Sequence, residues 1–150
     1  MTLSEFLIRA KTSTYARGDP ALKVKELDRS TTLTYTEWEW IYHDNYFWGE
    51  PYGGREVVSY EWKPVWIMVY YGWIEDWVDT IWEVYTILQW ALRHIPETAP
   101  YRWPLSYTEW GYHYFNNYSG GLERFSWREI IVKDGVIVYE AQYMGGSVDR

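Results

Sequence analysis

The chain has 150 residues, no cysteine, and a formal net charge of −7 from 21 acidic and 14 basic side chains. This length is typical of one domain, and the missing thiols exclude disulfides, thiolate catalysis and zinc–thiolate or iron–sulfur sites. The acidic balance argues against duplex nucleic acid as a partner, because such a partner requires a basic surface.

The N-terminal segment MTLSEFLIRAK lacks the basic and then apolar regions of a secretory signal. The longest strongly apolar run, Val65–Ile74, is too short to cross a membrane as a helix. We therefore expect a cytoplasmic protein with no membrane partner.

The first predicted element is a helix over about Leu3–Lys11, where Thr2 and Glu5 have the T-x-x-E spacing of a capping box. Residues 16–32 are polar and predict a surface loop. Period-two alternation of aromatic side chains then predicts a half-buried strand, and two more strands follow it. The three strands are predicted over Tyr35–Tyr46, Arg55–Tyr60 and Val65–Tyr71.

A second helix is predicted over about Asp76–Ile95, because apolar side chains recur there at three- and four-residue steps. Asp76 or Asp79 is its expected cap, and Pro96 begins a rigid connection that runs to residue 104. Lys133–Val136 carries a hairpin signal between the last two strands. The three further strands are predicted over Tyr107–Tyr118, Arg128–Lys133 and Ile137–Met144.

The two sets of strands are alike in sequence. Leu33–Gly49 aligns with Leu105–Gly121 at an offset of 72, with nine of 17 positions identical, and the match continues at an offset of 73. The alignment predicts a single domain over 1–150 with repeat units 2–73 and 76–146. The order α-βββ-α-βββ predicts an internally duplicated α+β fold, in which two helices pack on antiparallel sheet about a pseudo-twofold axis.

Aromatic side chains are unusually frequent, with 12 Trp, 16 Tyr and 4 Phe. They either pack in the core or line a groove between the two units. Glu56 and Glu129 occupy equivalent positions, where they either pair with basic side chains on neighbouring strands or converge on a ligand. The candidate ligand-binding residues are Trp38, Trp40, Glu56, Trp66, Trp110, Tyr112, Glu129 and Tyr139.

Three functions fit these patterns. The first is a non-enzymatic small-molecule binding or sensor module, whose aromatic groove takes a small, flat, apolar or cationic ligand. The second is a structural or protein-interaction domain, expected as a homodimer with no ligand. The third is a small hydrolase that uses the paired glutamates. No metal-ligand spacing and no nucleophile or phosphate-binding motif is present, so neither a cofactor, a metal nor a catalytic residue is predicted.

Four segments resemble one bacterial family, a domain of unknown function: FLIRAKTSTYA, GREVVSYEWKPVWIMVYYG, ALRHIPETAPYR and LERFSWREIIVKDGVIVYEAQYMGG. The resemblance runs from Phe6 to Gly146. It implies a stand-alone protein of about this length, or the C-terminal domain of XRE-type helix-turn-helix regulators. It further implies a non-enzymatic, sensory role with no catalytic residues to transfer.

The chain departs from that family in two respects. Tryptophan stands where relatives carry glycine, at Trp62, Trp103, Trp110 and Trp127, and Met144 stands where they carry histidine. Because tryptophan is costly wherever φ must be positive, either these turns differ in this chain or the chain is a redesigned or Trp-enriched, divergent member.

Overall fold

The computed structural model describes residues 1–14, 23–92 and 104–149. Its helices are α1 (Leu3–Thr14) and α2 (Ile81–Leu92). Its strands are β1 (Lys23–Lys25), β2 (Thr31–Glu37), β3 (Trp40–Phe47), β4 (Tyr52–Tyr60), β5 (Lys63–Ile74), β6 (Ser106–Glu109), β7 (Tyr112–Gly121), β8 (Arg124–Lys133) and β9 (Val136–Ser147). Across the described ranges the fold is mostly β, with two helices and a nine-stranded antiparallel sheet, which is consistent with the α+β class.

The segment predicted as the first strand of each unit is in fact two strands. Trp38 and Glu39 form a two-residue turn between β2 and β3, and Trp110 and Gly111 form another between β6 and β7. Trp38, Trp110 and Gly111 have φ values of 58°, 51° and 77°, and this left-handed conformation allows the tight reversal. The prediction was wrong because aromatic and polar residues keep alternating through each turn, so a period of two does not reveal the break.

The turn predicted between β8 and β9 is confirmed, with φ values of 51° at Asp134 and 79° at Gly135. Glu61 and Trp62 make the corresponding turn between β4 and β5, with φ values of 48° and 68°. Trp62 therefore adopts a conformation that favours glycine, and its turn has nearly the same φ values as the turn at Asp134 and Gly135.

The predicted capping box at the start of α1 is confirmed. The Glu5 amide donates to Thr2 Oγ1 at 3.3 Å, and the Thr2 amide donates to Glu5 Oε2 at 2.7 Å. For α2, the predicted caps were wrong, because the helix begins only after Thr80, whose carbonyl accepts from the Val84 amide at 3.3 Å. The predicted end of α2 at 93–95, residues 96–103 of the connection and residues 16–22 of the first loop lie outside the described residues.

The strands lie in the order β1-β2-β3-β4-β5-β9-β8-β7-β6, so β5 and β9 pair at the centre of the sheet. In that pairing Tyr70 is directly opposite Tyr143, Met68 is opposite Gly145, and Gly72 is opposite Ala141. Tyr70 and Tyr143 are 73 residues apart, which equals the offset between the aligned sequence units.

Both helices pack on the same face of the sheet. One core cluster joins α1 to the first half of the sheet, and its members include Phe6, Leu7, Ala10, Tyr42, Val58 and Trp66. A second cluster joins α2 to the other half, and its members include Val84, Ile87, Leu88, Tyr114, Ile131 and Tyr139. Tyr70 and Tyr143 pack against both clusters. The middle of this face therefore lies between the two helices.

Candidate functional site

A cavity opens on the helix-covered face, between α1 and α2. Most of its walls are aromatic, with two carboxylates and one ammonium among them. The lining residues are Lys11, Tyr42, Asp44, Tyr46, Trp48, Tyr52, Glu56, Met68, Tyr70, Tyr85, Leu88 and Tyr143. Its volume is about 70 Å³. This is room for a few water-sized groups or one end of a small ligand, since a water needs roughly 10–15 Å³.

Strand geometry brings two carboxylates together in this cavity. Alternation along β3 places Asp44 on the same face as Tyr42 and Tyr46, beneath the helices. Asp44 is paired in register with Glu56 on β4, which sets their Cβ atoms roughly 4.5–5.5 Å apart. Asp44 is 5% exposed and Glu56 is 7% exposed. The two acids therefore share a poorly solvated environment.

Lys11 reaches this pair from α1. Its Nζ lies 3.1 Å from Oε1 and 2.9 Å from Oε2 of Glu56, and its side chain is buried. Within the described residues, Glu56 Oε2 nevertheless accepts no hydrogen bond of good geometry. We treat Glu56 as neutralised by Lys11, because Coulomb attraction depends on separation more than on donor angle.

Asp44 has a tyrosine hydroxyl as its partner, whereas Glu56 has an ammonium. Tyr70 donates its hydroxyl to Asp44 Oδ1 at 2.7 Å. Burial, followed by the charge of Glu56, raises the pKa of Asp44 from 3.8 to about 7, against the opposing effects of Tyr70 and Lys11. In the described ranges no basic side chain comes within 4.0 Å of this carboxylate. Asp44 therefore changes charge near neutral pH.

Glu129 is held by tyrosine hydroxyls. It is fully buried and accepts hydrogen bonds from Tyr114, Tyr139 and Tyr143 at 2.7, 2.8 and 2.6 Å. Burial raises the pKa of Glu129, whereas the three hydroxyl donors lower it. Tyr143 also lines the cavity, so one phenol connects the buried acid to the cavity wall.

Tyr52 extends this hydrogen-bonded network along the cavity wall. Its hydroxyl lies 2.5 Å from that of Tyr139 and 3.4 Å from that of Tyr143. Its ring passes over Gly72, its register partner on β5, where an added Cβ would lie 2.6 Å from the ring. A larger residue at 72 would displace Tyr52 and disturb the network.

The eight predicted ligand-binding residues do not form a single cluster. Glu56 lines the cavity, whereas Glu129, Trp66, Tyr112 and Tyr139 are buried on the same face of the sheet. Trp40 packs near α1, with its ring centroid 5.4 Å from that of Phe6. Trp38 and Trp110 lie at hairpin turns and are 81% and 56% exposed.

Sequence reasoning did not select Asp44, Lys11, Tyr70 and Tyr143 as site residues. Two of them carried a signal. Asp44 interrupts the aromatic face of β3 between two tyrosines, and Lys11 falls on the buried stripe of α1. An ionisable side chain on an apolar face is rarely buried without a partner or a function, and this rule would have identified both.

In the described residues, no group of three or more His, Asp or Glu side chains is arranged to hold a metal ion. Within the same ranges, neither helix has the length and apolar character needed to cross a membrane.

Comparison with protein families shows a match over most of the chain. The family model described as "Domain of unknown function (DUF5680)" matches residues 44–148. The matched range begins at Asp44 and includes Glu56, Tyr70, Glu129 and Tyr143, whereas Lys11 precedes it. No curated protein and no solved structure matches the chain.

Proposed function

Because the chain belongs to the DUF5680 family, whose function is unknown, we propose from the chemistry of the cavity that the protein binds a small, flat organic cation without transforming it. The ligand inserts a cationic end between α1 and α2, against Asp44. Its apolar body lies among the tyrosines and Trp48. Such a module would serve as a sensor or carrier. Its occurrence as a domain of helix-turn-helix regulators, which the sequence resemblance implied, stays a prediction.

The observation that supports this proposal most is the imbalance of charge in the cavity. Asp44 and Glu56 supply two carboxylates, and Lys11 supplies one ammonium. When both acids are ionised, one negative charge has no cationic partner among the residues that the structure describes, and such a charge is unfavourable in a poorly solvated environment. An organic cation would relieve this cost, and the surrounding aromatic faces would attract it further.

The symmetry of the sheet supports the placement of the ligand. We infer that the two halves arose by duplication and are related by a pseudo-twofold axis that passes between Tyr70 and Tyr143. The strand order and the register of β5 against β9 agree with such an axis. The cavity lies next to it, between the helices of the two halves, where the chain offers a cleft that neither half forms alone.

A second candidate function rests on the face of the sheet opposite the two helices. Val69, Tyr71, Phe115 and Met144 are all exposed there, and apolar groups on one exposed face suit self-association. This homodimer is the interaction-domain alternative. The hydrolase alternative is not pursued, because Glu129 is fully buried and does not line the cavity with Glu56.

Titration of tryptophan fluorescence tests the proposal, because Trp48 lines the cavity. Three compounds of one size separate charge from shape: benzylammonium, benzyl alcohol and benzoate. We expect saturable binding of benzylammonium, at least about tenfold weaker binding of benzyl alcohol, and none of benzoate. Equal binding of the three, or a signal that changes with protein concentration alone, would refute the cation site, and the latter would favour self-association.

A further inference from the structure

We propose that Lys11 sets the charge of the ligand: it neutralises Glu56, leaves Asp44 as the single anchor, and so makes the cavity selective for monocations over dications. This inference rests on the proposed cation site and specifies the class of ligand. It also assigns a role to Lys11, the one basic side chain among the described residues that line the cavity.

The first step is the division of the two carboxylates. Lys11 Nζ lies within 3.1 Å of both oxygens of Glu56. A pair this close behaves as one neutral unit in a poorly solvated site. Asp44 is across the β3–β4 pairing from Glu56 and receives one hydroxyl, from Tyr70. A ligand therefore meets one unneutralised carboxylate, and one positive charge completes the site.

The second step is the wall opposite Lys11. That wall comes from α2 and presents Leu88 and Tyr85. Tyr85 donates its hydroxyl to Glu50, so this carboxylate is already engaged. Glu129 lies behind the tyrosines with three hydroxyl donors. Among the residues that the structure describes, a second cationic group on the ligand would therefore face apolar or occupied side chains, and it would lose hydration without gaining a partner.

The third step compares the two helices. On α1 the buried positions include Leu7, Ala10, Lys11 and Thr14, and on α2 they include Val84, Ile87, Leu88 and Ala91. The two sets share the spacing 3-1-3, which places Leu88 in the position that Lys11 occupies on α1. At equivalent positions, α1 thus places the charged Lys11 against the cavity, and α2 places the apolar Leu88 there.

The experiment compares benzylammonium with o-xylylenediammonium, which adds a second ammonium beside the first on the same ring. Both are titrated at pH 8 by calorimetry. The native protein should bind the monocation at least about tenfold more tightly, because the second ammonium is buried without a partner. Lys11→Met should reverse the preference, because Glu56 becomes available to the second ammonium.

The matched control is Arg9→Met. Arg9 is on the same helix and carries the same charge, but its side chain is 58% exposed and pairs with Glu37 at the surface. This variant should keep the native preference. If Arg9→Met shifts the ratio as much as Lys11→Met does, the effect is one of net charge and the proposal is overturned.

The Lys11→Met protein fails to fold if burial of Glu56 without its ammonium partner is too costly. A double variant tests the proposal in that case. Lys11→Met with Glu56→Gln removes the ion pair as a unit and leaves Asp44. It should weaken benzylammonium binding several-fold less than Asp44→Asn does, and it should gain no affinity for the dication. Weakening as large as that of Asp44→Asn would overturn the division of roles.

The outcomes also separate this inference from the proposed function. If the native protein binds no benzylammonium, the cation site itself is wrong. If it binds benzylammonium but Lys11→Met leaves the ratio of monocation to dication affinity unchanged, the cation site stands and the role of Lys11 is wrong.

Discussion

Tyr70 and Tyr143 lie directly opposite each other on β5 and β9, with their ring centroids 5.9 Å apart, yet their hydroxyls bind different carboxylates. Tyr70 donates to Asp44 at 2.7 Å, and Tyr143 donates to Glu129 at 2.6 Å. Two buried acids, one from each half of the sheet, are thus linked to a single pair of stacked rings. Because both rings line the cavity, each buried acid is one hydrogen bond away from its wall.

Removal of the Tyr143 hydroxyl should destabilise the fold. In Tyr143→Phe, the fully buried Glu129 keeps two of its three hydroxyl donors, and the loss of a hydrogen bond to a buried charged group costs about 1.5–3 kcal/mol. Urea denaturation measures the change. Tyr71→Phe is the control, since Tyr71 is adjacent to Tyr70 but exposed on the other face. A difference below about 0.5 kcal/mol between the two variants would show that Glu129 does not depend on this donor.

The free energy of unfolding should fall as the pH rises from 5 to 7. In this window the folded protein keeps Asp44 protonated, because its pKa is raised to about 7, whereas the unfolded chain has already released that proton near its ordinary value of 3.8. The unfolded state then binds fewer protons, so stability declines with pH, by about 2 kcal/mol for one such group. Burial also raises the pKa of Glu129, which acts in the same direction.

Asp44→Asn identifies the group responsible for this decline. Urea denaturation at pH 5, 6 and 7 should give a flatter dependence for this variant than for the native protein, since an amide releases no proton. If the two proteins lose stability in parallel, Asp44 does not have the raised pKa that its burial and its proximity to Glu56 predict.

Binding of a cation should strengthen as the pH rises from 6 to 8. Asp44 must be ionised to attract the ligand, and a pKa of about 7 leaves it mostly protonated at the lower pH. The affinity for benzylammonium should therefore increase about tenfold over this range, and each binding event near pH 7 should release part of a proton to the buffer. Calorimetry in two buffers of different ionisation enthalpy measures that release, and a pH-independent affinity would contradict the account.

Trp62→Gly should stabilise the turn between β4 and β5. Trp62 is 86% exposed, so removal of its side chain costs few packing contacts. Its φ is 68°, a left-handed conformation that glycine adopts without strain. We expect a gain of about 0.5–1 kcal/mol in the free energy of unfolding.

Gly135→Trp is the reciprocal change at the corresponding turn. An added Cβ meets no atom within 4 Å there, so any destabilisation comes from the φ of 79° and not from a clash. We expect Trp62→Gly to raise the free energy of unfolding and Gly135→Trp to lower it. If both substitutions raise it, or both lower it, the Trp62 prediction is wrong.

Local signals in the sequence predicted part of the fold well. The capping box at Thr2 and Glu5 and the turn at Asp134 and Gly135 depend on nearest neighbours, and both are confirmed. The internal turn at Trp38 and Glu39 was missed because it has no glycine, asparagine or proline to mark it. The turn at Trp110 and Gly111 does contain glycine, and it was missed because the aromatic alternation continues through it. The similarity of the two units predicts a symmetry with which the pairing of Tyr70 and Tyr143 agrees.

The site was harder to predict than the strands. Glu56 was selected, but its ion pair with Lys11 joins residues 45 positions apart, and that contact depends on how α1 lies on the sheet. Trp38 and Trp110 were selected as groove residues because the alternation was extended through two turns. Burial of Asp44 follows from its position between Tyr42 and Tyr46 on β3, so this acid could have been found once the aromatic face was assigned to the core.

The charge of Asp44 is the centre of this account, and calorimetric titration of Asp44→Asn with benzylammonium at pH 8 tests it most directly. The matched control is Asp79→Asn, which makes the same chemical change at an exposed position outside the cavity. The account predicts that Asp44→Asn weakens benzylammonium binding at least about tenfold, as expected for the loss of a charged partner. Asp79→Asn should bind as the native protein does. Equal affinity of the native protein and Asp44→Asn would contradict the proposed cation site.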